Sequence, residues 1–259
     1  MSEQALRLTV DGAIATLLIA RPEKLNALDR SLLKALSSLC DEIEANSSIR
    51  VVVLRGEGKA FSAGGDIKAW GGMQPNEFGH EWVRFGHRVF DRLAQLRVPL
   101  IAALNGHALG GGLELAAVAD IRIATRGIKI GLPETGLGMV PGWSGTQRLA
   151  RRFGTQIIRR MVLGGEIFTA DEALLHGIVD AVVEADQLDH AVQDYADRIS
   201  KRGPAATEIA KLMLAAHDGE NTEAAIEVLA SILAAKTADL KEGVASFVEK
   251  RPAKFEGKW

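Results

Sequence analysis

The stretch NGHALGGGLELA, Asn105–Ala116, decides the fold that we expect, because three consecutive glycines directly precede an apolar run that favours a helix. Glycine inside a helix or strand destabilises it by about 0.5–1 kcal/mol relative to alanine, so Gly110–Gly112 are predicted to form a turn in which the bare backbone is needed. We expect a strand before this turn and a helix, residues 111–118, after it. The amide groups at the start of that helix would point out of the turn.

Strand-like and helix-like segments alternate on both sides of this turn. The apolar runs VVVLRG (Val51–Gly56), PLIAALN (residues 99–105) and IRIAT (Ile121–Thr125) are typical of buried strands. A helix is expected between the first two, from Gly79 to Leu96. Such alternation predicts parallel strands joined by right-handed crossovers, which is an α/β fold.

The beginning of the chain predicts a different local structure. Asp11 and Gly12 separate the strand-like runs LRLTV and AIATLLIA, which is a strong signal for an antiparallel hairpin. Asp29 is a helix-capping residue type, and the helix that follows is expected to reach Ala45. Cys40 lies at helical spacing among leucines, so we expect it to pack in the core.

Beyond Asp186 the pattern is helical alone. Helices are predicted over LDHAVQDYADRISKR (residues 188–202), Pro204–His217, Thr222–Thr237 and Lys241–Val248. The sequence therefore predicts two regions, an α/β core that carries the active site, residues 1–185, and a helical C-terminal region, residues 186–259.

Composition excludes several classes of protein. With 47% hydrophobic and 25% charged residues the chain resembles an ordinary globular protein, and its net charge of −2 gives no overall attraction to nucleic acid or anionic membranes. Its single cysteine excludes a disulfide framework. We find no leader or membrane-spanning pattern and no metal-ligand spacing among the histidines, so we expect a cytoplasmic protein without a bound metal.

A second glycine-rich turn, FSAGGDIK (Phe61–Lys68), has the same strand–glycine–helix pattern as the first. Two backbone amides that converge from such turns form an oxyanion hole, in which each donor is worth about 10²–10³ in rate. The alternative is that the glycines only allow the chain to turn tightly.

Two glutamates accompany the turns. Glu114 is surrounded by leucine and alanine, which predicts burial and a raised pKa, and Glu134 lies in the glycine- and proline-rich segment IGLPETGLGMVPG. A pair of carboxyl groups on two sides of a substrate suits general acid–base catalysis. From spacing alone, structural roles as helix caps or arginine partners are equally compatible.

Five segments in this order and spacing resemble the enoyl-CoA hydratase/isomerase (crotonase) family: RPEKLNAL, FSAGGDIK, NGHALGGGLELA, GLPETGLGMVPGWSGTQRL and FVEKRPAKF. The resemblance covers essentially the whole chain. It implies a crotonase-like spiral of ββα units followed by helices that build a homotrimer, commonly paired into a hexamer.

The resemblance also implies an enoyl-CoA hydratase, a lyase that adds water reversibly and syn to a trans-2-enoyl-CoA, as in fatty acid β-oxidation. Gly65 and Gly111 would supply the oxyanion amides. Glu114 would activate water for attack at C3, Glu134 would exchange the proton at C2, and the Gly142 amide would hold the water. No cofactor is implied beyond the coenzyme A of the substrate.

Further family positions imply how coenzyme A is bound. In the family these positions lie in the first loop and in the second glycine-rich loop, and here they are Lys24, Leu25, Ala27, Ala63, Asp66, Ile67 and Lys68. Phe247 and Lys250 match positions that approach the nucleotide from a neighbouring subunit. The chain departs from many relatives at Trp143, where they carry a small residue, and this bulky indole either reshapes the acyl pocket or packs behind its loop.

Other functions remain as alternatives. Within the family these are Δ3-Δ2 enoyl-CoA isomerisation and dehydration of a special 3-hydroxyacyl-CoA, and outside enzymes they are a non-catalytic acyl-CoA binder or an RNA binder. The segment GWSGT (Gly142–Thr146) only approximates a serine-hydrolase nucleophile elbow. The arginine cluster over residues 148–160 is better explained by surface or interface roles than by RNA, and His107 by a structural role.

Overall fold

A computed structural model describes residues 5–257 of the chain. Its strands are β1 (Leu6–Asp11), β2 (Ile14–Ile19), β3 (Val51–Gly56), β4 (Ala60–Ser62), β5 (Leu100–Leu104), β6 (His107–Leu109), β7 (Ile121–Thr125), β8 (Lys129–Gly131), β9 (Ile167–Thr169) and β10 (Ala181–Val183). Its α-helices are α1 (Arg30–Ala45), α2 (Ile67–Trp70), α3 (Pro75–Glu77), α4 (Arg84–Ala94), α5 (Gly111–Ala116), α6 (Arg148–Phe153), α7 (Thr155–Gly164), α8 (Ala170–Leu175), α9 (Leu188–Ser200), α10 (Pro204–His217), α11 (Thr222–Ala235) and α12 (Ala238–Glu249).

The strands form two sheets. The larger has six strands in the order β1-β2-β3-β5-β7-β10, with an antiparallel β1–β2 hairpin and parallel pairing elsewhere. The smaller sheet has the order β4-β6-β8-β9 and is parallel except for its β8–β9 pair. The predicted hairpin and the predicted α/β architecture are confirmed.

Helix α1 shows why the N-terminal half folds as predicted. The Asp29 side chain accepts a hydrogen bond from the Leu32 amide at 2.9 Å and so caps the helix. The apolar face of α1 is buried in the main hydrophobic core, and Cys40 on that face is only 1% exposed. Burial raises the pKa of the Cys40 thiol to about 11, as expected of a core residue.

The opposite face of the large sheet is covered by α9. Alternate residues of β3 point to opposite sides, so Val52 and Leu54 join the main core while Val51 and Val53 pack with Leu188 and its neighbours on α9. The first compact unit accordingly extends to residue 208. This unit contains α9, whereas the sequence-based division between residues 185 and 186 assigns α9 to the helical C-terminal region.

The second compact unit covers residues 209–257 and is helical. Its helices leave many large apolar side chains exposed, including Met213, Leu214, Ile226, Leu233, Val244, Phe247 and Val248. Across residues 5–257 the helices are all too short or too polar to traverse a lipid bilayer.

Three features differ from the sequence-based expectation. The helix predicted over residues 79–96 is instead a π-helix, Phe78–Val83, followed by α4. The short strands of the smaller sheet and α6–α8 were not predicted. The strands of this sheet, α6 and α8 have three to six residues, which are too few to show a periodic pattern, so tertiary pairing decides their conformation. Helix α7 has ten residues and was overlooked.

Candidate active site

The two glycine-rich turns meet because the strands that precede them are neighbours. Strands β4 and β6 pair in parallel, so their carboxyl ends lie at the same edge of the smaller sheet. Gly64 has a φ of +89°, and a Cβ added there would lie 2.8 Å from the amide nitrogen of Gly111. Only glycine allows this conformation and this approach of the two backbones.

The amides of Gly65 and Gly111 are both left unpaired by their local structure. Leu28 forms an isolated parallel bridge with this segment, donating to the Gly64 carbonyl at 2.8 Å and accepting from the Asp66 amide at 2.7 Å. The Gly65 N–H therefore points to the other side. Gly111 is the first residue of α5, where helical geometry provides no acceptor. Within residues 5–257 neither amide donates a hydrogen bond.

Both glycines line one cavity of about 130 Å³, together with both glutamates. Its remaining walls are mainly apolar and are formed by Ala63, Ile67, Trp70, Phe78, Trp82, Val83, Leu137, Met139, Val140 and Trp143, with Gly142 beside them. A cavity that combines apolar walls with a few convergent polar groups is typical of a small-molecule site.

Glu114 is fixed in the interior of this cavity. It lies on α5, is only 2% exposed, and its Oε1 accepts hydrogen bonds from the amides of Trp143 and Gly145, both at 2.7 Å. Burial, and next the charge of Glu134, raise the pKa of Glu114 to about 8. A carboxyl group with such a pKa can exchange a proton near neutral pH.

Glu134 has different surroundings. It begins a short 3₁₀ helix, Glu134–Leu137, and both of its carboxyl oxygens are buried without a hydrogen-bond partner among the described residues. Its Oε1 lies 3.1 Å from the position that a Cβ on Gly110 would occupy. Burial raises the pKa of Glu134. Neither glutamate pairs with an arginine in the part of the chain that the structure describes, so the alternative of arginine partners receives no support.

The predicted coenzyme A loops lie beside the cavity. Ala63, Ile67 and Gly142 line it, whereas the predicted residues Lys24, Leu25, Ala27, Asp66 and Lys68 do not. The first loop is joined to the second by the hydrogen bond from the Ala63 amide to the Leu25 carbonyl, 3.0 Å, and by the Lys24–Asp66 ion pair, 3.2 Å.

Asp66 has a structural role in this region. Its carboxylate caps α2 by accepting from the Lys68 amide at 3.1 Å and lies 3.8 Å from the Arg21 guanidinium. Its charge is thereby balanced by neighbouring cations, while Lys68 stays exposed at the surface.

Sequence reasoning did not find the aromatic wall formed by Trp70, Phe78 and Trp82. These residues lie on α2 and on the π-helix, where no regular spacing marks them, and only the tertiary fold brings them to the cavity. Trp143 was singled out from the sequence. Its indole is buried with Trp82 and Phe90, at centroid distances of 5.1 Å, and it also lines the cavity.

The other residues considered from the sequence have structural partners. Ser144 has a φ of +80° and its Oγ lies 3.3 Å from Nε2 of His87, away from the cavity lining. The His107 Nδ1 accepts from the Lys129 amide at 2.9 Å, as expected of a structural histidine.

The arginine cluster is also engaged within the chain. Arg148 pairs with Asp91 at 2.7 Å, Arg160 pairs with Glu166, and Arg152 donates to the Ala117 carbonyl at 2.9 Å. Between residues 5 and 257 no group of three or more acidic, histidine or cysteine side chains is placed to hold a metal ion.

Comparisons with known proteins identify the family of the chain. The sequence matches the profile of the enoyl-CoA hydratase/isomerase family over residues 9–258. It is 39% identical over 250 residues to the short-chain-enoyl-CoA hydratase of Clostridium acetobutylicum, with 95% of each chain covered. It is 36% identical over 266 residues to the crotonyl-CoA hydratase of Syntrophomonas wolfei, with 100% of each chain covered.

A solved structure shows the same fold. The enoyl-CoA hydratase/carnithine racemase from Magnetospirillum magneticum superposes with a TM-score of 0.82 at 33% identity, with 99% of this chain and 97% of that chain covered. The expected crotonase-like fold is therefore confirmed. The chain belongs to the enoyl-CoA hydratase/isomerase family.

Proposed function

We propose that this protein is an enoyl-CoA hydratase that adds water across the double bond of a trans-2-enoyl-CoA and gives a 3-hydroxyacyl-CoA. The observation that carries the proposal is that two unpaired backbone amides, Gly65 and Gly111, line the same cavity as two buried carboxyl groups, Glu114 and Glu134. The names of the relatives from Clostridium acetobutylicum and Syntrophomonas wolfei support the same reaction.

In the proposed mechanism the two amides bind the thioester oxygen. This oxygen gains negative charge when an enolate forms, so the amides stabilise the transition state more than the ground state. The apolar walls around Trp82 and Trp143 lower the local dielectric constant and strengthen this interaction.

The glutamates move the two protons of the addition. Ionised Glu114 accepts a proton from water while the water oxygen bonds to C3, and the π electrons move to the thioester oxygen. Protonated Glu134 then donates its proton to C2 as the enolate collapses. Gly142, which also lines the cavity and whose amide approaches the Glu114 carboxyl, is proposed to hold the water beside that base. No cofactor takes part in these steps.

The two loops beside the cavity are proposed to bind coenzyme A. Lys24, Leu25 and Ala27 belong to the first loop, and Lys68, exposed after the second, is suited to a phosphate group. The backbone bonds between the loops keep them together as one surface, which supports a shared ligand.

A homotrimer, or a hexamer of paired trimers, is proposed as the assembly. The exposed apolar side chains of the second unit, including Phe247, support association of copies of this chain. Light scattering is expected to give three or six times the chain mass of 27.7 kDa. We place the reaction in fatty acid β-oxidation in the cytoplasm, and Cys40, a buried free thiol, is compatible with that reducing compartment.

The decisive test follows the absorbance of the conjugated double bond of crotonyl-CoA in buffer that contains a chelator. We expect the absorbance to fall and 3-hydroxybutyryl-CoA to appear. Tight binding of acyl-CoA without turnover would indicate a non-catalytic binder instead. Conversion of 3-enoyl-CoA to 2-enoyl-CoA without hydration would indicate an isomerase.

A further inference from the structure

The cavity has an open mouth and a closed inner end. Ile67, Leu137 and Val140 at the mouth are 52–66% exposed, whereas Trp82 and Trp143 at the inner end are 4% and 3% exposed. A substrate that enters by the mouth and places its thioester oxygen on Gly65 and Gly111 therefore directs the rest of its acyl group toward the two tryptophans.

Trp143 is held in place from both sides. On one side its indole Nε1 lies directly against Gly86 of α4, where any Cβ would overlap the ring. On the other side the indole faces the two glycine turns. Its Cζ3 atom lies 2.8 Å from the position that a Cβ on Gly111 would occupy, and its Cη2 atom lies 3.5 Å from the position of a Cβ on Gly65. The indole thus fills the space between α4 and the two glycine turns, and glycine at residue 86 is what lets it fit.

The space that remains is small. The cavity measures about 130 Å³. A closed apolar cavity of about 150 Å³ holds a single benzene molecule, so little room is left beyond the thioester and the reacting carbons. Since interiors are close-packed, a longer acyl chain needs the indole to move.

We propose that Trp143 determines acyl-chain specificity and limits the enzyme to short acyl groups. This inference rests on the proposed function, because it takes the cavity to be the acyl site of a thioester substrate. Gly86 acts as a positioning residue, because its lack of a side chain sets the depth at which the indole lies.

Trp143 is also a suitable residue to replace. Its Nε1 has no hydrogen-bond partner among the described residues, so replacing the indole with an apolar side chain breaks no polar contact. Trp143 also donates a hydrogen bond to Glu114, but it does so through its backbone amide, which every substitution other than proline keeps.

The experiment measures both binding and turnover for two chain lengths. Calorimetry compares butyryl-CoA with octanoyl-CoA, and the absorbance assay compares crotonyl-CoA with 2-octenoyl-CoA. For the unaltered protein we expect the short ester to be favoured by about tenfold to 200-fold in both measurements, the range of discrimination available to an apolar pocket. Equal binding of both esters would overturn the proposal.

Three variants test the assignment to Trp143. Trp143→Leu should reduce the preference for the short ester at least about tenfold. Gly86→Ala should push the indole into the cavity and weaken butyryl-CoA binding, and the double variant Gly86→Ala/Trp143→Leu should restore it. Trp70→Leu removes another indole of the cavity lining; it is the comparison variant and should leave the ratio unchanged. Each result is either a ratio between two esters measured on the same sample or a binding affinity. A fraction of unfolded protein changes neither of them.

The outcomes separate this inference from the proposed function. Hydration of short and long esters at equal rates would leave the function intact and overturn the role of Trp143. Selective binding of butyryl-CoA without hydration would support Trp143 as the selector and overturn the hydratase assignment. An equal relaxation of the ratio in Trp70→Leu would assign selection to the aromatic wall in general and contradict the proposal.

Discussion

Glu114 and Glu134 lie in the same cavity but are held in opposite ways. Glu114 is on a helix, almost fully buried, and accepts two backbone hydrogen bonds on one oxygen. Glu134 begins a 3₁₀ turn, and neither of its buried carboxyl oxygens accepts a hydrogen bond from another described residue. The first carboxyl is held by two amide donors, whereas no donor from another described residue holds the second.

This difference indicates how two identical side chains take different roles. Hydrogen bonds from amides favour the charged form of Glu114, although its burial outweighs them and raises its pKa. For Glu134 burial also raises the pKa, and no neighbouring donor stabilises the anion beyond its own backbone amide. In such a pair the environment, not the residue type, assigns the acid and the base.

The largest expected effect comes from removing each carboxyl group. Glu114→Gln and Glu134→Gln should each reduce crotonyl-CoA hydration by about 10²–10⁴-fold, since each removes one proton-transfer group. They should differ in deuterium exchange at C2 of butyryl-CoA, measured by mass spectrometry. Glu114→Gln should retain this exchange and Glu134→Gln should lose it.

The matched control is Glu42→Gln on the exposed side of α1, which should leave both rates unchanged. If Glu114→Gln and Glu134→Gln lost exchange equally, the division of roles between the two glutamates would be wrong.

Displacing the carboxyl groups without removing them should give a smaller effect. A Cβ on Gly145 would lie 2.7 Å from Oε1 of Glu114, and one on Gly110 would lie 3.1 Å from Oε1 of Glu134. Gly145→Ala should therefore slow hydration about 100-fold while C2 exchange persists, because small displacements of catalytic groups are costly. Gly110→Ala should impair exchange. The same pattern in both variants would argue against separate roles.

The pH dependence sharpens the comparison further. Glu114 must be ionised to accept a proton from water, so kcat/KM for hydration should fall about tenfold per pH unit below its pKa of about 8. Carboxyl ¹³C NMR should report this titration directly. In Glu134→Gln the pKa of Glu114 should move down, since the charge of Glu134 contributes to raising it. An unchanged titration would mean that the two carboxyl groups do not interact.

The smallest expected effect is on stability. The pKa of Glu114 is higher in the folded protein, about 8, than its ordinary value of 4.5, so the folded state loses stability as pH rises between these values. Glu114→Gln removes this penalty and keeps an oxygen for both amides. Its free energy of unfolding should exceed that of the unaltered protein by on the order of a few kcal/mol at pH 9, and by less at pH 5. A thermal or urea unfolding series that showed the opposite trend would contradict the burial of a neutral Glu114.

Much of the site was predictable because its chemistry requires particular residues in sequence. The glycine triplet, the second glycine turn and Glu114 within an apolar run each carry a local signal, and the structure places all of them around one cavity. Phe78 and Trp82 carried no such signal, because they lie on an irregular π-helix whose position depends on its packing with the core. The helical pattern of α9 likewise does not reveal that its apolar face covers the large sheet.

The sequence alone determined the parallel α/β order, the hairpin at Asp11 and Gly12, and the two glycine turns, since these depend on local backbone preferences and hydrophobic periodicity. Only the tertiary structure decided which groups share the cavity. Three contacts join residues that are far apart in the chain: the pairing of β4 with β6, the hydrogen bonds from two amides to Glu114, and the packing of the Trp143 indole against Gly86. Such long-range contacts follow from the close packing of the whole chain, which no local pattern records.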